Sequence, residues 1–336
     1  MLSNETGEFS MTLTRRTLLS GLGAGLVAPF VLTNRAVAQN KPDTVTVDFA
    51  TYNPVSLLLR ERGYLEEALG TDGIDVRWVQ TLGSNKALEF LNAEAIDFGS
   101  TAGAAALVGR LNGNPIRTIY LYSRPEWTAL VTRPDTGIAS VADLAGRTVA
   151  VTRGTDPHIF LVRALAGAGL TERDVRLVLL QHPDGRLALE RGDVDAWAGL
   201  DPMMAAAELE SGAELFYRDP GANTYGTLNV RESFAEAHPE IVRTVLAAYE
   251  RARDEAIADP AALAAVLGDV TRLPPEIVAR QLERTDITNP VIGAAERETI
   301  RAAGIALVDA GVLPADSDID GTLDALIDGR FTVASR

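Results

Sequence analysis

The stretch "VAVTRGTDPHIFLVRALAGAG", Val149 to Gly169, changes character halfway along. Val149, Val151 and the small apolar residues around them read as a buried strand. Gly154 breaks that strand, and Thr155, Asp156 and Pro157 follow with two capping oxygens and a proline suited to a first helical turn. Ile159, Phe160, Val162, Arg163, Leu165 and Ala166 then form a helical stripe that runs to Gly167 and Gly169. A strand that turns through glycine into a helix leaves the helix's free N–H groups facing the end of the sheet. Such a place holds anions.

The same rhythm runs along the chain on both sides of this stretch. Strand-like "TVTVDFA" (44–50), "IDVRWVQ" (74–80) and "IDFGST" (96–101) each precede a helical pattern, and "IRTIYLYS" (116–123) follows the third. "RTVAVTR", "VRLVLLQ", "VDAWAGL" and "AELFYR" continue the alternation, which predicts an α/β protein with mainly parallel sheets. From Phe234 onward only helical patterns remain. Two extended stretches, "SRPEWTALVTR" (123–133) and "NTYGTLNVRES" (223–233), bracket a unit of about a hundred residues with its own alternation. They divide the chain into a first lobe, 39–124 plus 229–336, and a second, 125–228, with hinge segments at both ends of the second. Two lobes joined in this way close over a ligand, and Gly226 is the residue expected to absorb the backbone rotation.

Residues 1–38 read as a cleaved export signal. Arg15-Arg16 precedes an apolar run from Leu18 to Leu32, and Ala36-Val37-Ala38 stands before Gln39 as a small-x-small cleavage site. The pattern resembles a twin-arginine leader, with translation expected to start at Met11. Without Glu5, Glu8, Arg15, Arg16 and Arg35, the chain keeps 28 basic and 44 acidic side chains, a net charge of −16. Such a balance argues against nucleic acid and anionic membranes, so an anionic ligand must be captured by local dipoles. There is no cysteine and there are three histidines, which argues against disulfides and a zinc site.

In open α/β sheets, ligands sit outside the carboxyl ends of the strands. The residues just after the strands here are Tyr52, Asn53 and Pro54, then Gly83, Ser84 and Asn85, then Ser100, Thr101 and Gly103. The second lobe contributes Gly154, Thr155 and Asp156. One Ser or Thr at a helix start is an ordinary cap, but recurrence at several strand ends in both lobes is a binding pattern. His158 and Asp201 remain open on this reading. The first reads equally as a packed histidine, and Asp201-Pro202 reads equally as a helix start. Trp127 reads as a hinge aromatic or an apolar wall, and Trp197, inside "DAWAGL", as core.

The stretches "GSNKALEFLNAEAIDFGSTAGAAAL", "SVADLAGRTVAVTRGTDPH", "ALERGDVDAWAGLDP" and "TYGTLNVRESFAEAHPEIV" together resemble the periplasmic substrate-binding proteins of ABC importers. The branch is the one for aliphatic sulfonates and taurine, with nitrate-type binders as relatives. The resemblance spans about Val45 to Phe331 and implies a type II periplasmic-binding-protein fold, two α/β lobes joined by two hinge strands around a cleft. It implies a ligand near Asn53, Gly83, Ser84, Thr101, Gly154, Thr155, His158 and Asp201, and Trp127, Asp156 and Tyr225 are further candidates for the same site. "GTDPH" departs from the small serines common in relatives, which alters the outer pocket.

The implied protein is a monomeric periplasmic receptor that needs no cofactor or metal. It would bind an alkanesulfonate or taurine and deliver it to an ABC permease and its ATPase. Nitrate or a neutral heterocycle is the alternative ligand, and a sensor the alternative role. A secreted enzyme fits less well: the sequence lacks a G-x-S-x-G elbow, H-E-x-x-H, a Walker loop and a cysteine nucleophile.

Overall fold

The computed structural model describes residues 41–331, so the export-signal features at Arg15-Arg16 and Ala36–Ala38 lie outside the described residues. The strands of the first half are β1 (Thr44–Phe49), β2 (Asp75–Gln80), β3 (Phe98–Ala102), β4 (Ile116–Pro125) and β5 (Leu130–Thr132). Then come β6 (Thr148–Val151), β7 (Arg176–Leu179), β8 (Ala196–Ala198), β9 (Glu214–Tyr217), β10 (Gly226–Arg231) and β11 (Thr285–Asp286). Helices α1 (Pro54–Arg62), α2 (Tyr64–Gly70), α3 (Ser84–Asn92) and α4 (Gly103–Leu111) belong to the first stretch of chain. Helices α5 (Asp156–Gly167), α6 (His182–Arg191) and α7 (Met203–Ser211) follow in the middle. The C-terminal third holds α8 (Glu232–Ala237), α9 (Pro239–Ala258), α10 (Pro260–Thr271), α11 (Pro275–Glu283), α12 (Ala294–Asp309) and α13 (Ile319–Leu326).

The strands form two sheets, in the orders β11-β4-β10-β3-β1-β2 and β7-β6-β8-β5-β9. Both are mixed, which corrects the expectation of mainly parallel sheets. β1 runs parallel to β2 and β3, and β6 parallel to β7 and β8, because helices return the chain between them. β5 and β10 instead enter their sheets from the segments that pass between the two, and both lie antiparallel to their neighbours. The C-terminal third, expected to hold helices only, also places the short strand β11 against Arg124 and Pro125.

Side-chain alternation in the quoted stretch sends its residues to two faces. Val149 and Val151 pack with Phe160, Leu161 and Leu165 of α5. Ala150 faces the other way, into a cluster with Trp197 and Leu189 of α6. Trp197 is therefore core. Ile159 and Val162, on the remaining side of α5, pack in the first sheet's cluster with Trp127 and Ile300. The helix is thus held from both sheets.

Gly226 differs from expectation. It is paired on both sides within β10, and a Cβ there would fall 2.2 Å from the Tyr122 ring. Glycine is required by that close approach. The positive φ in this segment is at Tyr225 instead, at 66°.

Candidate functional site

Three of the helices that follow strands begin where the two sheets approach each other. Gly83 precedes α3 of the first sheet, Gly154 and Thr155 precede α5, and His182 opens α6. The approach is close: a Cβ on Gly154 would lie 3.7 Å from Cβ of Asn85. A Cβ on Gly83 would lie 2.9 Å from Asn85 Oδ1 and 3.2 Å from His182 Nε2. Backbone without a side chain at Gly83 is what admits the imidazole. Each helix start carries unpaired N–H groups and the positive end of a helix dipole, so the approach favours negative charge.

Three side chains at this approach carry buried polar atoms without partners. His182 is fully buried, and neither ring nitrogen makes a hydrogen bond. Burial pushes its pKa down to about 3, so the ring is neutral across the physiological range. Asn85 Oδ1 is buried and unpaired as well, and so is Oε1 of Gln181, the residue before His182. Ser84 Oγ, a few ångströms along α3, accepts from the Ala102 amide at 2.9 Å and keeps its own proton to donate.

The other residues singled out from sequence are placed differently. Asn53 is spent inside the first sheet: its Oδ1 accepts from the Ser56 amide, and its Nδ2 donates to Ser100 Oγ at 2.9 Å. There it braces Asp48, which accepts from the Ser100 amide and hydroxyl and from Thr81, and whose pKa burial raises to about 6. Thr101 Oγ1 lies between Thr227 Oγ1 at 3.0 Å and Asn229 Nδ2 at 2.7 Å, tying β3 to β10. Thr155 Oγ1 donates to the Thr152 carbonyl at 2.6 Å and makes no cap, so only the backbone of that turn is open.

Asp156 faces the segments that pass between the two sheets. It accepts from the Thr224 amide and hydroxyl and from Trp127 Nε1 at 2.9 Å. Trp127 in turn stacks edge-on against Tyr52, with ring centroids 6.0 Å apart. His158 turns outward to Glu172, 2.8 Å away, and that hydrogen bond holds the Glu172 carboxyl below its usual range.

Asp201 pairs with Arg284 at 3.4 Å and accepts from the Ala205 amide at the start of α7. Its pKa is pushed up to about 7 by burial, against the opposing pull of Arg284. Tyr225 bonds Thr299 and lies against the Arg124 guanidinium. It lines a 330 Å³ cavity with Glu126, Arg284 and Asp286. Of the polar groups there, Arg124 is paired with Glu296, Glu126 with Arg218, and Arg284 with Asp201 and Glu208. The unpaired chemistry lies at the Gly83–His182 approach instead.

Gly83, Ser84 and Gly154 therefore gather with Asn85 and His182, while Asn53, Thr101, His158, Asp201 and Tyr225 are committed elsewhere. His182 was missed although the rule that found the others covers it. It stands just after the strand "VRLVLLQ" and opens a helix with proline behind it.

Comparison with known proteins places this arrangement in context. A sequence-family model described as "NMT1/THI5 like" matches residues 56–263. A candidate aliphatic sulfonates-binding protein of Escherichia coli (strain K12) is 27% identical over 283 residues, 82% of this chain and 88% of the relative. The taurine-binding periplasmic protein of the same strain is 28% identical over 64% of this chain and 67% of its own. Among solved structures, the alkanesulfonate-binding protein from Xanthomonas axonopodis pv. citri, bound to MOPS, superposes with a TM-score of 0.77. It is 24% identical and covers 84% of this chain and 98% of its own, which establishes the periplasmic-binding-protein fold.

Proposed function

The chain belongs to the NMT1/THI5-like family, and from that premise we propose that it is a periplasmic solute receptor that binds a small organosulfonate for an ABC importer. The observation that carries this reading is the meeting of three helix starts, from both sheets, around unpaired His182 and Asn85. A sulfonate is ionised at any physiological pH and has three acceptor oxygens, so it needs donors and no base. Backbone N–H groups at the starts of α3, α5 and α6 and the Ser84 hydroxyl are such donors. Hydrogen bonds to a charged group contribute about 1.5–3 kcal/mol each, so three or four support micromolar binding after the costs of association. Neutral donors also let the ligand leave without breaking a buried ion pair, as delivery requires.

The fold alone does not decide between binding and catalysis. Binding without covalent chemistry is favoured because the hydroxyl gathered there, Ser84, accepts from the Ala102 amide and makes no hydrogen bond to the His182 ring that would activate it. Among the described residues, no helix is long and apolar enough to cross a membrane.

The test is a calorimetry and thermal-shift panel of ethanesulfonate, taurine, sulfate, nitrate and a neutral pyrimidine. A true ligand at a hundredfold excess over its Kd adds about 2.7 kcal/mol of stability. A shift with nitrate or the pyrimidine and none with any sulfonate sinks the sulfonate assignment.

A further inference from the structure

His182 turns its Nε2 edge to the Gly83 turn, both of its ring nitrogens are buried without partners, and Asn85 Oδ1 lies beside the same turn without a donor. A neutral imidazole has one N–H to donate and one bare nitrogen to accept. Leaving either unmet in a buried site is costly. A sulfonate head can only accept, so it satisfies the N–H and leaves the bare nitrogen and the Asn85 carbonyl without donors. Turning the Asn85 amide over does not remove the requirement, because the ring by itself needs both kinds of partner.

We infer that His182 selects, among small organosulfonates, those that carry a neutral hydroxyl close to the anionic head. The inference rests on the sulfonate reading above and names the tail that reading leaves open. A hydroxyl donates and accepts, so one such group beside the head meets the bare nitrogen and keeps an acceptor for a neighbouring N–H. A plain alkyl tail supplies no donor.

An ammonium supplies donors, but it would face the positive ends of α3 and α6. Asp184, in the first turn of α6, is exposed and screened by water, and the two buried carboxylates are committed. Asp156 is occupied by Thr224 and Trp127, and Asp201 by Arg284 and the Ala205 amide. Burial alone accounts for the neutral state of His182, with no charged neighbour contributing.

The experiment is titration calorimetry of ethanesulfonate, 2-hydroxyethanesulfonate and 2-aminoethanesulfonate against the wild-type protein, His182→Phe and His182→Gln. The wild type should bind the hydroxy compound at least tenfold more tightly than either of the others. His182→Phe should collapse the hydroxy-to-ethane ratio to threefold or less. His182→Gln, which keeps a donor and an acceptor, should restore part of it. Equal affinity for the hydroxy and ethane compounds in the wild type overturns the inference and leaves the sulfonate reading standing. So does a ratio that survives in a folded His182→Phe, or an amino compound that binds best. If none of the three binds, the sulfonate reading and the inference fall together. Should His182→Phe not fold, the wild-type ranking and His182→Gln decide the matter.

Discussion

Two of the places where elements of the two sheets meet have opposite chemistry. At one, α11 lies against α7 through Ile277, Ala205 and Ala206, and charges close the contact. Arg284 reaches Asp201 at 3.4 Å and also Glu208, while Arg280 holds Glu208 at 2.6 Å. Nothing there lacks a partner among these four charges. At the other, Gly83 and Asn85 face His182 and Gly154, and buried polar atoms stand unpaired. The charges of the first contact are satisfied within the protein. On the function proposed above, the second is completed by the ligand. On that proposal the difference separates what joins the two sheets from what binds the ligand, and it puts Asp201 on the joining side.

The strongest way to break this comparison is to remove the cation from the complete contact. Arg284→Met leaves Asp201 buried with the Ala205 amide and Glu208 with Arg280. Removing one partner of a buried pair costs about 3–5 kcal/mol, and the lower figure applies because Asp201 can take up a proton. Melting should fall by roughly 6 °C or more, and scattering should show a larger radius of gyration without ligand. Arg284→Met combined with Asp201→Leu should recover much of the loss, since no unpaired charge then remains at Asp201. A single variant that melts within a degree of wild type would remove the ion pairs from any role in closure.

A smaller effect is expected at the incomplete contact. Gly83 has an extended backbone that any residue adopts, so a side chain there acts by volume alone. Gly83→Leu drives its side chain between Asn85 and His182. Ligand affinity should fall about a hundredfold, about 2.7 kcal/mol, with melting of the free protein lowered far less. A Gly83→Leu protein that binds as tightly as wild type would place the ligand elsewhere.

The sequence made the layout of the second contact readable because its logic is local. A strand, a glycine or small residue and a helix start lie within a few positions, so Gly83, Ser84 and Gly154 could be found by inspection, and His182 could have been. The commitments of the other residues are not local. Asp201 meets Arg284 83 positions away, Thr101 meets Thr227 126 positions away, and Asp156 meets Thr224 68 positions away. No periodicity announces such pairs. Strand direction failed for the same reason: β5 and β10 read as strands, but their antiparallel placement follows from how the chain passes between the sheets.

The subtlest difference between the two contacts is the sign of their response to pH. Asp201 is raised from 3.8 to about 7, so between about pH 4 and 7 the folded protein holds a proton that the unfolded chain releases. Its contribution to stability is full below pH 4 and is lost as pH rises through 7. His182 is lowered from 6.5 to about 3, so between about pH 3 and 6.5 the unfolded chain holds the extra proton. Its contribution is full above pH 6.5 and is lost as pH falls. Over the shared range, about pH 4 to 6.5, each group shifts stability by about 1.4 kcal/mol per pH unit at most, in opposite directions. Asp48, raised to about 6, adds to the Asp201 side and is common to all the variants. Urea midpoints measured from pH 4.5 to 6.5 should therefore fall more steeply with rising pH in His182→Phe than in wild type, and less steeply in Asp201→Asn. Three parallel curves would mean that neither group is held as its surroundings require, and the contrast between the two contacts would lose its electrostatic half.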